Sequence, residues 1–477
     1  MSAAPPVTGL AASWQRREGE RELLLYCLGC MTLGFVLVLG ADVSEGRQLT
    51  AQDLLPLALY GLSLVGIHLL LVLGGFRGDQ VLTATVAALS GFGLLAQYRM
   101  GAFQGDPATL NFAWSLFPAG FFVMTVCALI FANGRYRVLA RGLWLWAGLS
   151  LLLVVVLLVT GQRFRGAVYA LGFTTPTEAL KLTVILGLAA YLERQGQALA
   201  RWHPYLPLPP WRALWPLLAF FAVLAGLLAL QRDLGMMVIL GLAFLVLMVV
   251  GTGRIGYLVY GLLAAAGLGG LMLYLFEHGQ RRLEAWLDPF QDPTGDGWQI
   301  LQGLSGMYAG GLWGEGFGIG SPQYTPIAAA DFIYSVIGEE LGFLGCLVLI
   351  LFFLILFQRG ISFSAQARSD FGRLLAAGFT AVLAVQTLLN VGGVTKSIPL
   401  TGTTLPFISH GGASLLTAFA IIGLLLAISD GEPGRVARPP QAGRGRPTFG
   451  PPSDMKPRKV RRRAPPRERP GTAESPP

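Results

Sequence analysis

"IAAADFIYSVIGEELGFLG", residues Ile327 to Gly345, decides how this chain is read. A carboxylate, Asp331, stands at the mouth of a long apolar run, and two more, Glu339 and Glu340, follow about two turns further in. Acids at bilayer depth are costly, so they are paired, water-lined or functional. On a wheel of about 100° per residue, Ser335, Gly338, Gly342 and Gly345 fall within about 40° of Asp331. That face is small and polar, suited to close helix approach or to lining a cavity. Glu339 lies about 80° away and Glu340 about 180° away, so the three carboxylates do not converge. This counts against a two-carboxylate glycosidase pair on the helix. Asp331, nearest the outer water, is the one placed to meet a substrate; Glu339 and Glu340 are expected to be structural.

The rest of the chain has the same character. Of its 477 residues, 53% are hydrophobic and only 13% charged, which excludes a soluble globular domain and implies a polytopic all-α membrane protein. Twelve apolar segments are expected to span: Leu23–Gly40, Leu54–Gly74, Val81–Tyr98, Phe112–Phe131, Leu143–Thr160, Ala179–Leu192, Trp211–Leu230, Gly235–Val250, Ile255–Phe276, Ile333–Phe357, Leu374–Val391 and Phe407–Ile428. The polar start of the chain carries no small-residue cleavage site after its first apolar run, so no cleavable leader is expected. Residues 1–22 then form a cytoplasmic segment, 23–429 the membrane domain with a large outer loop at 277–330, and 430–477 a disordered basic cytoplasmic tail.

Charge sets the orientation. With the N-terminus inside, fourteen arginines between Arg16 and Arg373 fall on inner connections. The outer ones hold only Arg47, Arg99, Arg163, Arg165, Arg232, Arg281, Arg282 and Lys396, so both termini are expected in the cytoplasm. The net charge of +9 owes much to the tail, which suits anionic lipid and says little about nucleic acid. Cys27 and Cys30 form a C-x-x-C pair on an apolar helix without nearby His or acid, which reads as packing rather than metal or redox chemistry.

Four stretches break the apolar monotony. "GQRFRGAVYALGFTTPTEALKL", Gly161 to Leu182, places Arg163 and Arg165 in an outer loop and Glu178 and Lys181 on one helix face, where they can neutralise each other. "LQRDLG", Leu230 to Gly235, puts Asp233 in a tight outer turn. "LDPFQDPTGDGWQILQGLSGMYAGGLWGEGFGIG", Leu287 to Gly320, mixes turns with an interfacial helix; its glycines lack the Lys-Ser/Thr and preceding strand of a phosphate loop. "NVGGVTKSIPLTGTTLPFISHGGASLL", Asn390 to Leu416, is polar irregular backbone, tolerated at this depth only in a wet cavity or inside protein.

Together and in this order, these stretches resemble the SEDS family of cell-wall polymerases, the FtsW/RodA/SpoVE group. The carriers are "GQRFRG", "TPTEALK", "QRDLG", "LDPFQDPTGDGWQILQ", "DFIYSVIGEELG" and "IPLTGTTLPFISHGGASL", spread over about Leu143 to Ser429. The resemblance implies a ten-helix core with two added N-terminal helices. It implies a glycosyltransferase that polymerises lipid II into glycan strands at the outer membrane face, beside a class B penicillin-binding protein. It marks Asp331 as the essential carboxylate; on the same outer face Arg163, Arg165, Glu178, Lys181, Asp233, Lys396, Thr401 and Ser409 are the candidate substrate-binding residues. Asp288, Gln299, Gln302, Glu339, Glu340, Gly411 and Gly412 are then structural. No cofactor is required, although a divalent cation could share the charge of the leaving pyrophosphate with Arg163, Arg165, Arg232 or Lys396. The chain departs from the pattern at Ile327, Ala329 and Ala330, where the family has Glu, His and Thr, at "RFRG" for Arg-Arg-Trp, at Arg232 for Pro and at His410 for Tyr. A lipid II flippase and a non-catalytic scaffold for the penicillin-binding partner are the rival functions.

Overall fold

Each of the twelve apolar segments contains a helix, although the last begins at Gly412 and not at Phe407, since residues 407–411 belong to the polar loop. The computed structural model describes residues 9–44, 46, 48–100, 107–164, 167–169, 176–202, 209–275 and 277–431. Its helices are α1 (Leu10–Arg16), α2 (Glu18–Ser44), α3 (Leu55–Leu73), α4 (Gln80–Arg99), α5 (Pro107–Phe131), α6 (Leu143–Thr160), α7 (Leu180–Leu199), α8 (Trp211–Gln231), α9 (Leu234–Thr252), α10 (Gly256–Leu275), α11 (Glu277–Leu287), α12 (Trp298–Gly310), α13 (Ile333–Gln366), α14 (Asp370–Val394) and α15 (Gly412–Asp430). Among the described residues, nine helices are long and apolar enough to cross a membrane, and α5 and α10 add shorter apolar stretches. Helix α7 completes the twelve, its sequence interrupted by Lys181, Glu193 and Arg194. Side-chain caps start three of the spans: Asp79 accepts from the Leu82 amide at 2.6 Å, Asp233 from Met236 at 2.9 Å and Ser369 from Gly372 at 3.1 Å. A short antiparallel hairpin, β1 (Gln162–Phe164) with β2 (Ala167–Tyr169), is the departure from an all-helical chain.

The connections separate into two ends, as alternating spans require. At one end Asp430 accepts from the backbone amides of Arg77 (2.7 Å) and Asn133 (3.0 Å), tying the end of α15 to the α3–α4 and α5–α6 turns. Arg17 and Glu20 form a fully buried pair there, joined by His68 of α3, whose Nδ1 lies 3.1 Å from Glu20 Oε2. Helix α2 therefore starts at Glu18, ahead of the expected Leu23, and the segment 1–22 already contains α1. Hydropathy alone misses this because it counts Arg17 and Glu20 as two separate charges, whereas they pair within one turn and are buried together.

Two features correct the helical wheel drawn through Asp331. The residue sits in a turn ahead of α13, not on it. The helix is also broken at Gly342 (φ 67°, ψ −168°), so Gly345 does not continue the same face. Residues 311–316 run across the break: the amides of Glu315 and Gly316 donate to the carbonyls of Glu339 (2.9 Å) and Glu340 (3.1 Å), and Phe343 donates to Gly311 (2.9 Å). The groups a broken helix leaves unpaired are thus satisfied by the glycine-rich strand beside it. The small face does serve close approach. A Cβ on Gly310 of α12 would lie 2.1 Å from the Gly338 carbonyl, and one on Gly303 2.6 Å from Phe332.

Residues Met1–Pro433 make one compact unit. The tail, Gly434–Pro477, is a second unit and lies outside the described residues.

Candidate active site

At the opposite end from Asp430, side chains from six parts of the chain meet. Helix α7 contributes Lys181, buried, whose ammonium donates to Glu178 Oε2 at 2.5 Å and to Gln386 Oε1 of α14 at 2.7 Å. Gln386 continues the chain of bonds, donating to the Thr404 carbonyl at 2.8 Å. The Glu178–Lys181 pair read from spacing therefore exists, and a glutamine absent from the sequence-based candidates shares it. The amide of Asn390, one turn further along α14, donates to the Asp331 carbonyl (2.8 Å) and the Thr403 carbonyl (2.7 Å).

Asp233 arrives at the same place as the cap of α9. The loop passes so close to the first turn of α9 that a Cβ on Gly235 would lie 2.6 Å from Thr403 Cγ2. Only glycine fits there. Thr401 and Thr403 bring their hydroxyls to 3.3 Å of each other.

The turn that carries Asp331 is held through its main chain. Ser409 Oγ donates to the Ala330 carbonyl at 2.5 Å and the His410 amide donates to the Ala329 carbonyl at 2.7 Å. Ala329 and Ala330 hold the turn through backbone carbonyls, so these contacts do not depend on their side chains. The Ser409 hydroxyl is buried, gives its proton to Ala330 and accepts from the Leu405 amide at 2.8 Å, so in this structure it holds the turn.

Opposite Asp331 stands Arg282 of α11, the residue that motif comparison passed over. A Cβ on Gly402 would meet only Asp331 Oδ2, at 3.7 Å, and Arg282 Nη2, at 3.8 Å. The two side chains flank the bare glycine, whose φ of +69° also favours glycine. They act on each other through space, without a hydrogen bond between them. Arg282 Nη1 donates to the Leu400 carbonyl at 3.2 Å, and Trp286, one turn on, donates to the Lys396 carbonyl at 3.0 Å. Together they lay α11 over the polar loop.

Burial pushes the Asp331 carboxyl above its ordinary value, and the Arg282 guanidinium opposes the rise. Asp233 is also raised by burial, with the Met236 amide pulling it down. Burial lowers Arg282, and Asp331 and Asp233 counter it. A guanidinium remains charged throughout, so the site is a cation between two desolvated carboxylates.

The other expected residues take different places. Lys396 is half-buried in a left-handed turn (φ 57°), and what the structure gives of it is the carbonyl under Trp286; Arg282, not Lys396, is the cation facing Asp331. Arg232 is exposed. Only the backbone of Arg163 is described, in β1, and Arg165 lies outside the described residues. Glu339 accepts from the Ser321 amide at 2.6 Å, and Glu340 pairs with Arg99 of α4 at 3.0 Å. Asp288 is exposed and caps its own turn through the Phe290 amide (3.1 Å), while Gln299 and Gln302 are half-buried on α12. Gly411 and Gly412 start α15. Among the described residues, no three His, Cys, Asp or Glu side chains gather as metal ligands.

Arg282 carried a signal that spacing could not isolate: it is one of a pair with Arg281, and only the docking of α11 decides which of them turns inward. Gln386 and Asn390 sit in apolar sequence, where an amide is as readily a packing residue as a site residue.

Comparison with known proteins places the chain in a family. The family model described as cell cycle protein, FtsW/RodA/SpoVE, matches residues 79–432, which hold ten of the twelve spans and leave α2 and α3 outside. The chain is 34% identical over 430 residues to peptidoglycan glycosyltransferase RodA of Mycobacterium tuberculosis, covering 86% of this chain and 90% of that one. It is 34% identical over 373 residues to the probable peptidoglycan glycosyltransferase FtsW of Trichlorobacter lovleyi, covering 74% and 93%. Among solved structures, a chain from a peptidoglycan synthase complex that coordinates polymerization and crosslinking superposes with TM-score 0.60 at 30% identity, covering 74% of this chain and 97% of that one. RodA of Thermus thermophilus superposes with TM-score 0.52 at 26% identity, covering 74% and 96%. This chain is a multi-pass membrane protein of the FtsW/RodA/SpoVE family.

Proposed function

We propose that the chain is a peptidoglycan glycosyltransferase that polymerises lipid II into glycan strands at the outer face of the bacterial cytoplasmic membrane, with both termini inside. The observation that carries this reading is the half-buried Asp331 facing Arg282 across Gly402, at the end of the bundle that the charge distribution assigns to the outside.

In this mechanism the acceptor hydroxyl gives its proton to the Asp331 carboxylate as its oxygen attacks the anomeric carbon of the donor. The C–O bond to the diphosphate breaks and its electron pair leaves with the phosphate oxygen. Preorganised cations at the site meet that charge. A divalent cation would enter bound to the diphosphate and near Asp331, since no cage of protein ligands is found among the described residues. An apolar groove with a cavity volume of about 100 Å³ lies between α6, α7 and α8 and could take part of a lipid chain. It is lined by Thr183, Val184, Leu188, Leu217 and Phe220 and begins one turn below Lys181. The solved relative in a synthase complex supports a crosslinking partner, for which a class B penicillin-binding protein is the candidate.

A flippase needs a polar route through both ends. Here the polar site gathers at one end, while the far end is tied shut by Asp430 and the buried Arg17–Glu20–His68 cluster. The deciding experiment incubates purified protein and its partner with lipid II. Glycan strands are expected. Movement of lipid II between leaflets without polymer would favour the flippase, and neither product would favour a scaffold.

A further inference from the structure

We propose that Arg282 is a catalytic cation whose charge acts on Asp331 across Gly402 in the empty site and which binds the donor's diphosphate as substrate enters. The inference rests on the glycosyltransferase reading and adds to it the residue that takes the leaving group.

A diphosphate entering this site must find a cation, and the described cluster holds two. Lys181 is engaged by Glu178 and Gln386 and is buried beneath them. Arg282 uses one of its five donors on the Leu400 carbonyl, and among the described residues no other bond holds it. Its guanidinium borders the open notch at Gly402 and, among the described residues, makes no ion pair. A planar fork with free donors matches phosphate oxygens bidentately. Arg282 also stands on α11, laid on the site by Trp286, so a small shift of one helix moves the cation without disturbing the Asp331 turn.

Sharing the cation couples binding to chemistry. In the empty site Arg282 favours the ionised form of Asp331 against the effect of burial. When the diphosphate takes Arg282, Asp331 loses that counter-charge and becomes a stronger base while the acceptor hydroxyl is in place. The proton moves to Asp331, the new glycosidic bond forms, the phosphate C–O bond breaks, and the departing charge falls on oxygens already bound to Arg282. Release of the diphosphate returns Arg282 to Asp331, which then gives its proton to water.

The test titrates the full-length chain in detergent with a polyprenyl diphosphate and with the matching monophosphate. Arg282→Gln is expected to weaken diphosphate binding about 10–100-fold, the range for charge-assisted bonds. Arg281→Gln should leave it within about twofold, as for an exposed charge. Asp331→Asn is expected to tighten diphosphate binding by releasing Arg282, and the gain should shrink when Arg282→Gln is also present. Unchanged affinity in Arg282→Gln overturns the inference, as does an Asp331→Asn gain of equal size in both backgrounds. If Arg282→Gln melts early, Arg282→Lys decides: it keeps the charge but not the fork, and wild-type affinity there also overturns the inference. A chain that binds diphosphate in this coupled way yet makes no glycan sinks the glycosyltransferase reading alone. A chain that polymerises lipid II without the coupling sinks only the role of Arg282.

Discussion

Asn390 ties the base to the polar loop: its side-chain amide donates to the carbonyl of Asp331 at 2.8 Å and to that of Thr403 at 2.7 Å. Asn390→Leu strands both carbonyls inside the protein, with an expected loss of about 2–5 kcal/mol in stability. Because the Asp331 turn is loosened, kcat should fall more than KM changes. Melting curves and lipid II kinetics check this, and an unchanged kcat would remove Asn390 from the positioning set.

Asp331→Asn should cut polymerisation by about 10²–10⁴-fold, the usual worth of a general base. The folded carboxyl sits above its ordinary value, so the folded state holds the proton more tightly than the unfolded chain. Its ionisation at neutral pH therefore works against stability, and Asp331→Asn is expected to melt no lower than the parent. Activity needs the ionised form, so the rate should fall as pH drops, at a higher pH than an ordinary aspartate gives. Arg282 is the charge facing Asp331, so Arg282→Gln should move this limb higher still. A limb that stays put shows that another group controls it.

The Glu178–Lys181 pair should behave as a unit. Glu178→Gln alone leaves the Lys181 ammonium without its counter-charge, and breaking such a buried pair costs about 3–5 kcal/mol. Glu178→Gln with Lys181→Met should fold better than the single change. If that double variant is well folded and inactive, the pair serves substrate as well as structure.

The broken helix predicts two strong effects. A Cβ at Gly342 would lie 2.3 Å from the Gly314 amide nitrogen, in a left-handed conformation that itself costs about 1–3 kcal/mol. Gly342→Ala should therefore reduce folded yield sharply. Glu340→Gln, which removes the partner of Arg99, should lower the melting temperature while activity per folded molecule is largely kept. Loss of activity at full stability would place Glu340 in the chemistry.

Orientation has its own check. A cysteine replacing the exposed Gln291 should react in intact cells with an impermeant thiol reagent. Labelling only after lysis would reverse the topology and put Asp331 on the wrong side for lipid II polymerisation.

The spans were legible because they answer to one-dimensional physics: twenty or so apolar residues satisfy their own backbone in lipid, whatever their neighbours. Glu178 with Lys181 was legible too, since three residues on a helix fix a shared face. Asp331 was marked by its place at the mouth of a span. What the sequence could not decide depends on which elements meet. Glu20 is buried in a helix because Arg17 pairs with it and His68 of α3 packs against its carboxylate. Glu340 is tolerated because α4 brings Arg99 to it, and α13 breaks at Gly342 because residues 311–316 take up the freed backbone groups. Arg282 rather than Arg281 or Lys396 faces Asp331 because α11 packs on the loop through Trp286. Local pattern sets which segments enter the membrane and which charges pair within one turn, as Glu178 does with Lys181; where the partner comes from distant sequence, as Arg99 does for Glu340, only the packed structure assigns it.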